Sequence, residues 1–145
     1  MALHADYPVT RYGPSPLVEL TSKAARERLS RSAVRAFFNL VARWEIRDDD
    51  AKLLLGGISN GPYYDLKRKP DRLLDTDRLT RISYLIGIFK ALHILHSKRL
   101  ADAWIKLPNS NRIFGGQSPL TYMTKGGLPA MQTVRRLLDA RRGAL

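Results

Sequence analysis

The chain contains no cysteine, so disulfide bonds and thiolate chemistry are excluded, and a reducing cytoplasm is the simplest environment for it. Long apolar runs are also missing. The longest one, Tyr84 to Phe89, is far shorter than the roughly 20 residues that cross a bilayer. The first ten residues lack the basic start and apolar block of a signal peptide. We therefore expect a soluble, cytoplasmic protein that does not associate with a membrane.

Histidine is scarce, and the sequence shows no catalytic motif. The three histidines are His4, His93 and His96. His93 and His96 have a spacing that can hold a metal ion, but no third ligand is evident and both neighbour apolar helical positions. A glycine-rich phosphate loop and a carboxylate pair in a catalytic arrangement are both missing. We therefore expect no metal, no cofactor and no enzymatic activity.

Acidic residues are few relative to basic ones. The chain has 25 Lys and Arg against 13 Asp and Glu, a net charge of +12. Such a surplus indicates a polyanionic or acidic partner. Acidic and basic residues balance between positions 48 and 81, whereas residues 82 to 145 carry ten basic and two acidic side chains. Binding to DNA alone would leave the charge of the C-terminal half unexplained.

The patterns that are present are helical. No segment alternates with period two over a useful length, so the predicted fold is all-α. The proline-containing residues 1–20 are predicted to form an extended arm, and Thr21 is a candidate N-cap. Apolar residues at spacings of three and four predict a helix from Ser30 to Ile46. A second helix is predicted to be capped by Asp48 and stopped by Gly56 and Gly57.

A long helix of about twenty residues is predicted to begin after a cap at Asp75 or Thr76. It carries two adjacent apolar stripes and therefore needs two partners. We interpret it as a spine that joins an N-terminal unit to a C-terminal one, or as a dimer interface. A helix from Ala101 to Leu107 follows, and two short helices are predicted at about Pro119 to Lys125 and Pro129 to Arg142. The predicted division is an arm at 1–20, a first domain at 21–96 and a second domain at 97–145.

The segment Leu54 to Pro70 reads as the centre of a helix-turn-helix, in which a glycine-containing turn places a second helix in the major groove of DNA. Asn60 is placed to read an adenine edge, and the basic residues to neutralise phosphates. Asp65 opposes this because a carboxylate repels phosphate. A helical hairpin that touches no DNA remains the alternative. The candidate DNA-binding residues are Ser59, Asn60, Tyr64, Lys67, Arg68 and Lys69.

The segment from Ala101 to Gly143 contains an ordered set of features. They are a Trp-containing helix, a Pro-Asn pair, a Gly-Gly-x-x-Pro-Leu turn, a short helix ending in glycine, and a last helix with an apolar stripe and a terminal glycine. The positions that carry the pattern are Trp104, Pro108, Asn109, Gly115, Gly116, Pro119, Leu120, Gly127, Val134, Leu137, Leu138 and Gly143. This set resembles the toxin-binding domain of the Xre/MbcA/ParS antitoxins. The unit from Ala51 to Leu66 resembles the Xre-type helix-turn-helix that usually precedes it.

The resemblance implies an antitoxin of a type II toxin-antitoxin system. It implies that the partner is a RES-domain toxin that consumes NAD, and that the C-terminal end of the antitoxin blocks the toxin's active-site cleft. The helix-turn-helix is expected to repress the antitoxin's own operon. A homodimer is expected on palindromic DNA. A stand-alone dimeric transcriptional regulator, in which the C-terminal half only dimerises, is the alternative.

The residues of the family pattern have mainly structural roles, so toxin contacts are sought between them. Exposed polar and basic side chains are the candidates, because arginine presents a fork of donors suited to carboxylate or phosphate recognition. The alternative interpretation is that these side chains form only a solvated surface. The candidate toxin-binding residues are Arg112, Gln117, Tyr122, Lys125, Arg135, Arg136, Arg141, Arg142 and Gly143, of which Arg141, Arg142 and Gly143 are the candidates to enter the toxin cleft.

Overall fold

A computed structural model of the protein describes residues 23–143, and all regular secondary structure in this part of the chain is helical. The predicted arm and the predicted cap at Thr21 lie outside the described residues. The predicted all-α fold class is confirmed. The helices are α1 (Lys23–Arg43), α2 (Asp48–Leu54), α3 (Asn60–Arg68), α4 (Thr76–Leu95), α5 (Lys98–Ala103) and α6 (Pro119–Gly143), with single 3-10 turns at Trp104–Lys106 and Arg112–Phe114.

The ends of the N-terminal helices follow local chemistry. Gly56 and Gly57 stop α2 as predicted, and both have positive φ values, 89° and 82°. Asp75 caps α4 as predicted, because its side chain accepts a hydrogen bond from the Arg78 amide at 2.8 Å. The predicted cap at Asp48 is wrong. Arg47 occupies the N-cap position, and the Asp48 carboxylate is used by α3 instead.

Helix α6 is two helical segments joined at a kink. Gly127 has φ 66° and ψ −149°, a backbone conformation that a residue with a Cβ adopts only under strain. The segment before it starts at Pro119, and Pro129 falls in the first turn of the segment after it. The kink confirms the predicted break, although of the two neighbouring glycines only Gly127 has positive φ.

Helix α4 is the centre of the packing. It contacts α1, α5 and α6, and α6 also contacts α2. Its buried residues lie on both predicted stripes, for example Ile82 on one and Leu85 and Ile88 on the other. Buried side chains from Val34 to Leu138 form one continuous hydrophobic cluster. The expectation that α4 needs two partners is therefore met within the chain, while the predicted domain boundary at residue 97 stays a prediction.

The crossing of α4 and α6 is built on a glycine. Gly87 is buried in the middle of α4, and the Nη1 atom of Arg135 lies 1.3 Å from the point that a Cβ on Gly87 would occupy. The guanidinium of Arg135 therefore lies directly on the α4 backbone. Its Nε donates to Asp139 Oδ2 at 2.9 Å, which fixes its orientation along α6.

Between residues 23 and 143, no helix is long and apolar enough to cross a membrane.

We predict that Gly87→Ala changes stability little in the wild-type background but stabilises the Arg135→Ala variant by about 1 kcal/mol. Alanine favours a helix interior by that amount over glycine, whereas in the wild type its Cβ displaces the arginine. Urea unfolding of the four proteins of this double-mutant cycle measures the difference. Equal effects of Gly87→Ala in both backgrounds would show that the Arg135 side chain does not lie on Gly87.

Candidate functional site

The first candidate surface is the solvent side of α3 and its flanks, which we call the α3 face. Its two apolar side chains, Tyr63 and Leu66, are buried and point into the core as predicted. Ser59 occupies the N-cap position without a side-chain capping bond. All six predicted DNA-binding residues are exposed. The structure therefore brings them together on one short helix and its two caps, and they are Ser59, Asn60, Tyr64, Lys67, Arg68 and Lys69.

Asp48 at the start of α2 organises the α3 face. Its Oδ1 accepts a hydrogen bond from the Tyr63 hydroxyl at 2.7 Å, and its Oδ2 accepts one from the Tyr64 hydroxyl at 3.4 Å. The Nζ atom of Lys67 lies 3.6 Å from the same carboxylate. One carboxylate therefore ties α2 to three residues of α3. This link was not predicted, because no local pattern relates an aspartate at the start of one helix to a pair of tyrosines in the next.

The hydrogen bond from Tyr63 and the nearby Lys67 ammonium lower the pKa of Asp48 below the ordinary aspartate value of 3.8, against an opposing contribution from desolvation. Burial and the hydrogen bond to Asp48 raise the pKa of the Tyr63 hydroxyl. Both shifts favour the same pairing of a neutral phenol with an ionised carboxylate. The link between α2 and α3 is therefore formed throughout the neutral pH range.

Two other residues of the α3 face are engaged by neighbours. Lys52 donates to the side-chain carbonyl of Asn60 and also pairs with Asp49 at 3.2 Å. Arg68 forms an ion pair with Asp65, the carboxylate that is expected to repel phosphate. Reading adenine requires both the oxygen and the nitrogen of an asparagine amide. Asn60 must therefore release Lys52 before it can read a base.

The second candidate surface lies on α6 and on the loop before it. Arg112, Gln117, Lys125, Arg136, Arg141 and Gly143 are exposed, whereas Tyr122, Arg135 and Arg142 are half-buried. Tyr122 packs edge-on against Phe114 at 5.3 Å, and Phe114 packs in the same manner against Trp104 at 6.1 Å. Tyr122 therefore belongs partly to the core of this region, together with the tryptophan of the family pattern.

The arginines of α6 divide into two groups. Arg135 lies on Gly87, and Arg142 donates to Asp139 at 3.4 Å on the same side of the helix. Both serve the fold at least in part. Arg136 and Arg141 lie outside that row and are exposed. The nine predicted toxin-binding residues therefore comprise both packed and solvent-facing side chains.

The loop before α6 is held by its own asparagines. Asn109 Oδ1 accepts from the Asn111 amide at 2.9 Å, and Asn111 Oδ1 accepts from the Ile113 amide at 3.1 Å. Gly115 and Gly116 have φ values of 56° and 83°, which agrees with the tight turn predicted there. The loop reaches Pro119 in a fixed conformation and thereby sets the start of α6.

Comparison with known proteins agrees with this arrangement. A model of the antitoxin Xre/MbcA/ParS C-terminal toxin-binding domain matches residues 90–143. The uncharacterized protein y4oB of Sinorhizobium fredii (strain NBRC 101917 / NGR234) is 37% identical over 111 residues, which are 76% of this chain and 84% of that protein. The chain belongs to the Xre/MbcA/ParS antitoxin family. No solved structure matches it.

The protein is thus an antitoxin that carries a toxin-binding domain, and its partner is a toxin. The match begins at Lys90, within α4, so the last turns of the central helix belong to the family domain. Residues 23–143 contain no group of three or more histidine, aspartate or glutamate side chains arranged to hold a metal ion. His93 Nδ1 lies 2.9 Å from the Phe89 carbonyl oxygen and makes a local helix contact.

We predict that Asp48→Asn reduces the loss of stability in acid. Because the folded pKa of Asp48 is depressed, its contribution is present above about pH 4 and is lost as pH falls through the lower folded value. Urea unfolding of wild type and variant from pH 7 to pH 3 measures this contribution. The free energies of unfolding of the two proteins, plotted against pH, should converge in acid and separate near neutrality, with the wild type more stable. Parallel curves would show that Asp48 does not link α2 to α3.

Proposed function

We propose that this antitoxin neutralises a RES-domain, NAD-consuming toxin by placing the C-terminal end of α6 in the toxin's active-site cleft. The observation that carries the proposal is the family match, which ends at Gly143 on a helix whose final turn is basic. Arginine forks are suited to pair there with carboxylate or phosphate groups of the partner. A helix that is anchored on α4 and presents its end is suited to fill a concave site.

The division of the α6 arginines supports distinct roles within this contact. Arg135 lies on Gly87 of α4, and Arg142 pairs with Asp139 along α6, and we assign both to positioning the helix. Arg136, Arg141 and Gly143 are exposed, and we assign them to the toxin. Further exposed candidates are Arg112, Gln117 and Lys125. Tyr122 contributes through its packing on Phe114.

We further infer that the helix-turn-helix binds operator DNA and represses the antitoxin's own operon, as a homodimer on two half-sites. All six candidate contacts are exposed on the α3 face, and Asp48 holds that face against α2. The predicted division into residues 21–96 for DNA and 97–145 for the toxin is then a division of function, although the family match extends the second part back to Lys90. Both parts contribute to one hydrophobic core.

We predict that the double variant Lys67→Ala/Arg68→Ala weakens binding to the DNA upstream of the antitoxin's own gene. Each lost phosphate contact should reduce the slope of log affinity against log salt by about 0.9. Fluorescence anisotropy with a labelled duplex at several salt concentrations measures both quantities. The control Lys98→Ala/Arg99→Ala removes the same charge from α5. Unchanged binding in the α3 variant, or equal loss in the control, would refute a role of this face.

We predict that removal of residues 141–145 weakens binding to the co-expressed toxin by at least about tenfold, the effect of losing one strong interface contact. Operator binding should be unaffected. Growth protection and co-purification with the product of the neighbouring toxin gene measure the effect. The variant Arg28→Ala/Arg35→Ala removes two exposed charges from α1 and is the matched control. Full protection by the truncated protein would show that the helix end does not block the toxin.

Co-purification also separates the antitoxin from the alternative of a stand-alone regulator. A stable complex with a RES-domain protein that lacks NAD-consuming activity while bound supports the proposal. Free toxin alongside a protein that still binds its operator would favour the regulator.

A further inference from the structure

Arg81 lies between two glycine turns that belong to different halves of the protein. Its Cζ and Nε atoms lie 3.3 Å from the point that a Cβ on Gly56 would occupy. Its Nη1 lies 3.9 Å from the corresponding point on Gly127. Gly56 is in the turn between α2 and α3, and Gly127 is the kink of α6. One side chain of the central helix therefore faces the backbone of both turns.

Both turns favour a cation beside them. Gly56 follows the C-terminal end of α2, and Gly127 follows the first segment of α6, so the negative end of a helix dipole lies at each place. The side chain of Arg81 is only 16% exposed, and its Nε donates to Asp77 Oδ2 at 2.9 Å. That ion pair balances the charge and fixes the plane of the guanidinium between the two turns.

We propose that Arg81 is a positioning residue shared by the two binding sites of the antitoxin. It holds the turn that carries the α3 face and the kink that directs the end of α6 in one relative arrangement. A partner that moves the second segment of α6 changes the contact at Gly127 and, through the same guanidinium, the contact at Gly56. The assignment of a partner to each turn rests on the proposed function, whereas the shared contact does not.

The test is native-state hydrogen exchange of the full antitoxin alone, comparing wild type with Arg81→Gln. We expect exchange to accelerate about tenfold at the amides of residues 56–59 and also at those of residues 124–128, because both turns open more easily. Arg78→Gln is the matched control, since Arg78 lies one turn earlier in α4 and also pairs with an aspartate, Asp75. Acceleration at one turn only, or the same pattern in the control, overturns the proposal.

If the Arg81→Gln variant does not fold, the Arg81→Lys variant tests the proposal instead. Lysine keeps the charge but presents one nitrogen instead of a planar fork. We expect it to fold and to retain wild-type exchange at one turn at most. Wild-type exchange at both turns in a folded Arg81→Lys protein would show that charge alone suffices and that no shared fork is required.

Binding measurements separate this proposal from the proposed function. Arg81→Gln should weaken binding to the upstream duplex and to the co-expressed toxin alike. The Lys67→Ala/Arg68→Ala variant should weaken only duplex binding, and removal of residues 141–145 should weaken only toxin binding. Accelerated exchange at both turns with unaltered binding of both partners would overturn the positioning role. A wild-type protein that binds neither partner would refute the proposed function, and the exchange experiment would still decide whether Arg81 holds both turns.

Discussion

The two-sided burial of α4 is the constraint on which this structure depends. A helix of 20 residues with apolar side chains over most of its circumference cannot be covered by one neighbour. It contacts α1 on one side and α6 on another, and α6 reaches α2 as well. The N-terminal helices and the toxin-binding domain therefore share one core. Neither half can shift as a rigid body without disturbing the burial of α4.

Two arginines of this structure lie against the backbone of glycines. Arg135 lies on Gly87 at the crossing of α4 and α6, and Arg81 lies against Gly56 and Gly127. A glycine lets a guanidinium approach the backbone, and an adjacent aspartate balances its charge in each case. Part of the positive charge of the chain is therefore used inside the fold. Net charge alone overstates the basic surface that is available to partners.

Much of the fold was predictable because its signals are local. Helix periodicity, the cap at Asp75 and the glycine stops are set within a few residues, and the family pattern fixed the identity of the C-terminal region. The contacts of Asp48 and Arg81 were not predictable. Both depend on which helices meet in three dimensions, and a charged residue in an acidic or basic run gives no sign of the distant backbone or hydroxyl that it contacts.

The acidic partners of the α3 face bear on how it would meet DNA. Asp48 and Asp65 already pair with Lys67 and Arg68, so a bound phosphate would compete with a carboxylate at each cation. Such an exchange yields less free energy than neutralising a free cation, because the displaced carboxylate must be rehydrated close to the DNA. The overall charge of +12 still attracts the polyanion over distance. If the proposed operator binding holds, long-range attraction with weak local neutralisation would limit non-specific binding. Base contacts such as the one proposed for Asn60, once it has released Lys52, would then select the site.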